Sequence, residues 1–155
     1  MSVHRILVVL LITVLASLAW AADKPDLSGK WVLNLGKSTL ATPGIEAGTV
    51  RITHQEPRFH FARTFQTRDG RDNLTFDATT DGAERTTRSD GMTTRSRLHW
   101  EGQELVLDET TQVGSRTATN VVHYSLSDGG KVLIARESFR GPRLQYDNTW
   151  MFDRQ

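Results

Sequence analysis

Few side chains in this chain have chemistry to offer, and most of them sit in alternating, strand-like contexts. Arg63 shares its alternation phase with Phe59, Phe61 and Phe65. If those rings face a core, the guanidinium does too, and a buried Arg requires a partner. That partner is a ligand carboxylate, a structural acid or the face of Trp31. Tyr124, Tyr146 and Asn148 share faces with apolar residues. They place two phenols and an amide in a cavity, or they reach loop carbonyls at a rim. Glu109 is in phase with Leu105 and Leu107, and Glu137 with Leu133 and Phe139. Two carboxylates meeting inside could do acid–base work. For Glu137 the simpler reading is a strand face answering an Arg across the ladder.

Other chemistries find no support. His54, His60, His99 and His123 are never two or four residues apart, so no strand or helix presents a pair of metal ligands. Alternation turns His60, His99 and His123 outward and His54 inward, where it reads as a satisfied core histidine. There is no Cys, no Gly-x-Ser-x-Gly elbow, and no Gly-rich phosphate loop before a helix. No catalytic residue, cofactor or metal is expected.

The elements that must position these groups follow from the chain in order. His4 and Arg5 precede an apolar run, Ile6 to Trp20, that ends in Ala19-Trp20-Ala21. This is the n-region, h-region and small-residue cleavage site of an export signal. We expect residues 1–21 to be removed, leaving 22–155 as a single domain without a stable membrane anchor. The destination is the periplasm or the exterior. Cleavage removes Arg5 and no acid, so the 19 Lys plus Arg become 18, against 18 Asp plus Glu. A formally neutral chain argues against nucleic acid as a partner. Without disulfides, a remaining length of roughly 130 residues must be held by one packed core.

Asp26-Leu27-Ser28-Gly29-Lys30-Trp31-Val32-Leu33-Asn34-Leu35 opens that domain. It puts Trp31 two residues after Gly29, at the mouth of a strand, where a wide ring can floor a closed sheet. A loop with Pro43 and Gly44 follows, with room for one helical turn near Lys37 to Leu40. Gly-bearing turns then recur, among them Arg68-Asp69-Gly70, Asp81-Gly82, Asp90-Gly91, Glu101-Gly102, Val113-Gly114 and Asp128-Gly129-Gly130. Their spacing, close to 8–12 residues, predicts an all-β antiparallel up-and-down meander of about ten strands. Closing the first strand on the last would remove both sheet edges and make a closed or nearly closed barrel. Ala83 to Arg88 and Met92 to Arg97 supply little apolar filler. Either part of the interior is wet, or these strands project as a solvated hairpin.

With Gly29-Lys30-Trp31 at its start, this meander behind it, and Trp150-Met151-Phe152-Asp153 at its end, the chain resembles the calycins. It is most similar to small exported bacterial proteins described as lipocalin-like, and also resembles the fatty-acid-binding proteins. The resemblance implies a calycin barrel and a small apolar or amphiphilic ligand. It also implies an Arg packed over Trp31 from near the last strands, which favours Arg136 or Arg154. The departures are specific. The first loop is too short for a helical pair, no residues remain for a helix after the barrel, and Arg143 and Tyr146 lack the spacing of the carboxylate-gripping Arg-x-Tyr pair.

Together these readings give an exported, non-catalytic carrier. Phe61, Phe65, Phe76, Leu98 and Trp100 would be the apolar wall. Arg63, with Tyr124 or Tyr146, would be the polar end, and Arg136 a further candidate. The alternative is a cell-envelope interaction or inhibitor module that acts through its outer face around Arg85, Arg88, Arg95 and Arg97.

Overall fold

A computed structural model describes residues 23–155. The export segment read from residues 1–21 lies outside the described residues. Ten antiparallel strands follow one another: β1 Gly29–Leu33, β2 Ile45–Gln55, β3 Arg58–Thr67, β4 Gly70–Thr79, β5 Arg85–Ser89, β6 Met92–Glu101, β7 Glu104–Val113, β8 Arg116–Ser127, β9 Val132–Arg140 and β10 Gln145–Arg154. The turns are where glycine marks them. Asp90 and Gly91 both take positive φ (50° and 75°), the geometry of a tight hairpin whose twist matches its strands. The expected helical turn after β1 is only a hydrogen-bonded turn, closed by the Ser38 N–H donating to the Asn34 carbonyl at 3.1 Å.

All ten strands belong to one sheet, in the order β4-β3-β2-β1-β10-β9-β8-β7-β6-β5. The first strand does pair with the last, Trp31 lying opposite Arg154. The expectation that this removes both edges does not hold. The β1–β10 pair lies mid-sheet, and the edges are β4 and β5, which form no ladder with each other. The sheet is therefore strongly curled, with a gap between β4 and β5. At one end of the gap an isolated Asp81–His99 bridge and the Gly82 N–H, donating to the Leu98 carbonyl at 3.0 Å, tack the β4–β5 connection onto β6.

Apolar residues at every second position of most strands meet inside the curl. Leu27, Trp31, Val50, Ile52, Phe59, Phe61, Leu98, Leu105 and Leu133 are buried in one cluster. Trp31 is fully buried and floors one end, its Nε1–H donating to the Leu27 carbonyl at 3.1 Å. The Arg over its ring is Arg154, at 4.1 Å, rather than Arg136. Arg154 also donates to the Ser28 and Gly130 carbonyls at 2.7 and 2.8 Å, so it ties β10 to the segment before β1 and to the β8–β9 turn.

Candidate functional site

Above the floor the inward side chains leave a cavity of about 430 Å³. This lies within the range of roughly 300–1,000 Å³ that small-molecule sites occupy. Phe61 and Phe76 stack at 5.1 Å across the β3–β4 ladder, and Phe65 stacks on Trp150 at 4.9 Å from β10. With Leu98 they make the apolar wall. Thr87, Thr94 and Ser96 line the side formed by β5 and β6. The two readings of those polar strands each hold in part: they line the cavity with polar side chains, and their outer part is open to solvent. Every residue of β5 is exposed, as suits the edge of a gap.

The polar groups gather on β7, β8, β9 and β10. In register, Glu109 on β7 lies opposite Asn120 on β8, and Glu137 on β9 lies opposite both Val122 on β8 and Asn148 on β10. Glu137 does not answer an Arg. Its Oε2 accepts from Asn148 Nδ2 and from Trp150 Nε1, both at 2.9 Å. Asn148 is only 3% exposed. Its Oδ1 accepts the Ala41 N–H at 2.7 Å, and Nδ2 also donates to Thr42 Oγ1 at 2.9 Å. The interior carboxylate is thus wired to the loop that follows β1.

Tyr124 is 6% exposed and lines the cavity. Beside it Asn120 Oδ1 is buried without a partner among the described residues. Burial pushes the Tyr124 phenol well above its ordinary value, with Glu109 and Glu137 adding to the rise and Arg63 opposing it. Burial also raises the Glu109 carboxyl, Asn120 opposes that, and the Glu137 charge adds to it. Arg63 is held by a structural acid, its NH2 group meeting Asp72 Oδ2 at 2.5 Å, while its guanidinium lies 4.4 Å over the Phe65 ring.

Of the residues singled out from the sequence, Phe61, Arg63, Phe65, Phe76 and Tyr124 line this cavity, and Trp100, Arg136 and Tyr146 do not. Trp100 is in the inward phase but sits at the floor end, donating from Nε1 to Glu56 Oε1 at 2.6 Å. Glu56 there also takes the His54 ring nitrogen at 2.9 Å and the Thr80 hydroxyl. His54 is therefore a satisfied core histidine, its ring only 4% exposed. Tyr146 lies toward the opposite rim, stacked on Phe139 at 5.0 Å. Arg136 is on the outer face, in a two-bond pair with Glu104 at 2.6 and 2.8 Å.

Outside the cavity, Arg97 pairs with Asp108 at 2.8 Å and Arg95 with Glu84 at 4.0 Å, so acids answer much of the Arg-rich face. The sequence reading missed Asn120, Asp72 and Trp150 as neighbours of the site. The alternation signal was there: Asn120 is two residues before Val122, and Asp72 two before Leu74.

No family model and no curated protein matches the chain. Solved structures do. The chain is similar to a secretory abundant heat soluble protein from Ramazzottius varieornatus, at 13% identity over 83% of this chain and 94% of that one, with a TM-score of 0.54. It is similar to zebrafish ileal bile acid-binding protein complexed with cholic acid, at 12% identity over 83% and 98% of the two chains, TM-score 0.53. Secretory abundant heat soluble protein 4 of Ramazzottius varieornatus matches at 16% identity over 83% and 94%, TM-score 0.50. At these identities the likeness concerns the fold alone, the curled antiparallel meander that the chain shares with these structures.

Proposed function

We propose that the protein is exported, loses residues 1–21, and acts in the periplasm or outside the cell as a soluble carrier of a small apolar or amphiphilic molecule. No catalytic step is involved. The observation that carries this reading is the cavity itself: about 430 Å³ with stacked phenylalanines along one wall and the buried Tyr124, Glu109 and Asn120 at its polar end. A core that served packing alone would fill such a space, because interiors are close-packed and voids cost stability. The gap between β4 and β5 offers an entry. The bile acid-binding neighbour of similar fold, complexed with cholic acid, supports a small-ligand role. Export is supported by His4, Arg5 and the apolar run to Ala21.

The test is a neutral environment-sensitive dye such as Nile red, followed by a thermal-shift panel of apolar and amphiphilic compounds. Dye binding that Phe61→Ala weakens, together with ligand-dependent rises in melting temperature, is the expected result. A protein that neither binds the dye nor shifts with any compound would refute the carrier role. Mass spectrometry of the protein recovered from outside the cytoplasm checks cleavage near Ala21.

A further inference from the structure

We infer that the ligand's headgroup is cationic: the cavity is built for an amphiphilic amine rather than a carboxylate. This rests on the carrier reading and concerns the end of the cavity that sorts ligands by charge.

The charged residues lining the cavity are Arg63, Asp77, Arg85, Glu109 and Glu137. Two of them lie at its margin. Asp77 turns to the outer face, where it meets His60 Nδ1 at 2.8 Å, and Arg85 lies on the exposed edge strand. Arg63 is neutralised by Asp72. Its Nε lacks a partner and is as buried as Asn120 Oδ1, so among the described residues it is the one unmet donor at this end. What remains inside is Glu109 and Glu137, and neither forms an ion pair with any Lys, Arg or His among the described residues. The two flank β8 two residues out of step, near enough for each to feel the other's charge.

The hydrogen-bonding inventory has the same sense. Glu137 spends only Oε2 on Asn148 and Trp150, which leaves Oε1 open. Asn120 Oδ1 is a buried acceptor with no donor, and the Tyr124 hydroxyl, which can accept as well as donate, lines the same cavity. Unmet capacity at this end is therefore mostly acceptor capacity beside two uncompensated carboxylates. An ammonium brings three donors and a positive charge. A carboxylate brings acceptors only, and would add a third negative charge to a desolvated site. The alkyl or ring portion would lie along Phe61, Phe65, Phe76 and Leu98, toward the gap between β4 and β5.

The experiment uses three probes of one chain length, dodecylamine, dodecanol and dodecanoic acid, each displacing Nile red from the full mature protein at neutral pH. We expect the amine to displace the dye at a concentration at least about tenfold below the acid, the scale of an opposite charge at close range, with the alcohol between them. The Glu109→Gln/Glu137→Gln double variant keeps side-chain acceptors and shape. In it the amine's advantage over the acid should fall to less than about threefold, while Nile red still reports an intact cavity. Equal or tighter binding of the acid to the native protein overturns the inference and leaves the carrier reading standing. So does an amine preference that survives in the double variant. Failure of Nile red itself to bind would overturn both.

Discussion

Glu137 is the side chain on which the cavity and the loop after β1 both depend, and replacing it with Leu should separate packing from polarity. Leu fills a similar volume but accepts no hydrogen bond. Trp150 Nε1 then loses its partner, and Asn148 keeps only Thr42 for its amide hydrogens. Hydrogen bonds to a charged acceptor contribute about 1.5–3 kcal/mol each, so the gross loss is about 3–6 kcal/mol. Part is regained, because a carboxylate no longer has to be buried and the repulsion with Glu109 disappears. We expect a net loss of about 2 kcal/mol for Glu137→Leu, and a change below about 1 kcal/mol for Glu137→Gln, which keeps an acceptor in the same place. Urea unfolding followed by tryptophan fluorescence measures both, and the midpoint should move without a change in slope. The loop supplies a second readout. With Asn148 loosened, the amide of Ala41 should exchange faster in Glu137→Leu and not in Glu137→Gln. A Leu variant as stable as the native protein at neutral pH, with Ala41 unchanged, would show that the carboxylate holds neither the indole nor the loop.

Two further outcomes follow from close contacts. At Gly48 an added Cβ would fall 2.6 and 2.7 Å from atoms of the Phe65 ring, and that ring cannot retreat because it is stacked on Trp150. Gly48→Ala should therefore cost about 1–3 kcal/mol in urea unfolding, and Phe65→Leu in the same chain should recover part of it. Arg154→Ala removes the cation over Trp31 and two hydrogen bonds to backbone carbonyls. A loss of about 1–2 kcal/mol is expected, and Arg154→Lys should restore less than half of it, since an ammonium cannot stack and fork at once.

Alternation identifies a face of the sheet but not a height along it, and this divides what the sequence made legible from what it did not. Phe61, Arg63, Phe65 and Tyr124 were placed inward by phase, and all four line the cavity. Trp100 and Tyr146 have the same inward phase, yet one lies at the floor and the other toward the rim, because pairing register sets depth and register is a tertiary property. Arg136 faces outward, and alternation leaves this undecided for a different reason. Val132 and Leu133 are both buried, so β9 begins apolar on both faces and its phase is ambiguous until Ala135 and Glu137 are seen to point in. The position of the gap also has a sequence signal. Arg85 to Ser89 is short and polar on both faces, as an edge strand must be to resist pairing with a stranger.

The two ends of the interior use the same residue type in opposite ways, and pH separates them. At the floor, burial pushes the Glu56 carboxyl up, but hydrogen bonds from Thr80, His54 and Trp100 outweigh it and hold it below the ordinary Glu value of 4.5. A lowered folded value stabilises the fold above the unfolded value, and that contribution is lost as pH falls through the folded one. In the cavity, burial, aided by the Glu137 charge and opposed by Asn120, holds Glu109 above 4.5. The folded state then binds the proton more readily than the unfolded chain. Stability falls as pH rises through the window between 4.5 and the raised value, and the deficit persists at neutral pH. One isosteric substitution should therefore act with opposite signs at the two sites. At neutral pH, Glu56→Gln should lower the urea midpoint and Glu109→Gln should raise it. Below 4.5, where both acids are protonated in the unfolded chain, the Glu109→Gln advantage should vanish. A destabilised Glu109→Gln at neutral pH would mean that this carboxylate has a cation or donors beyond Asn120, as Glu56 has its three donors. A site so satisfied would have no vacancy for an ammonium.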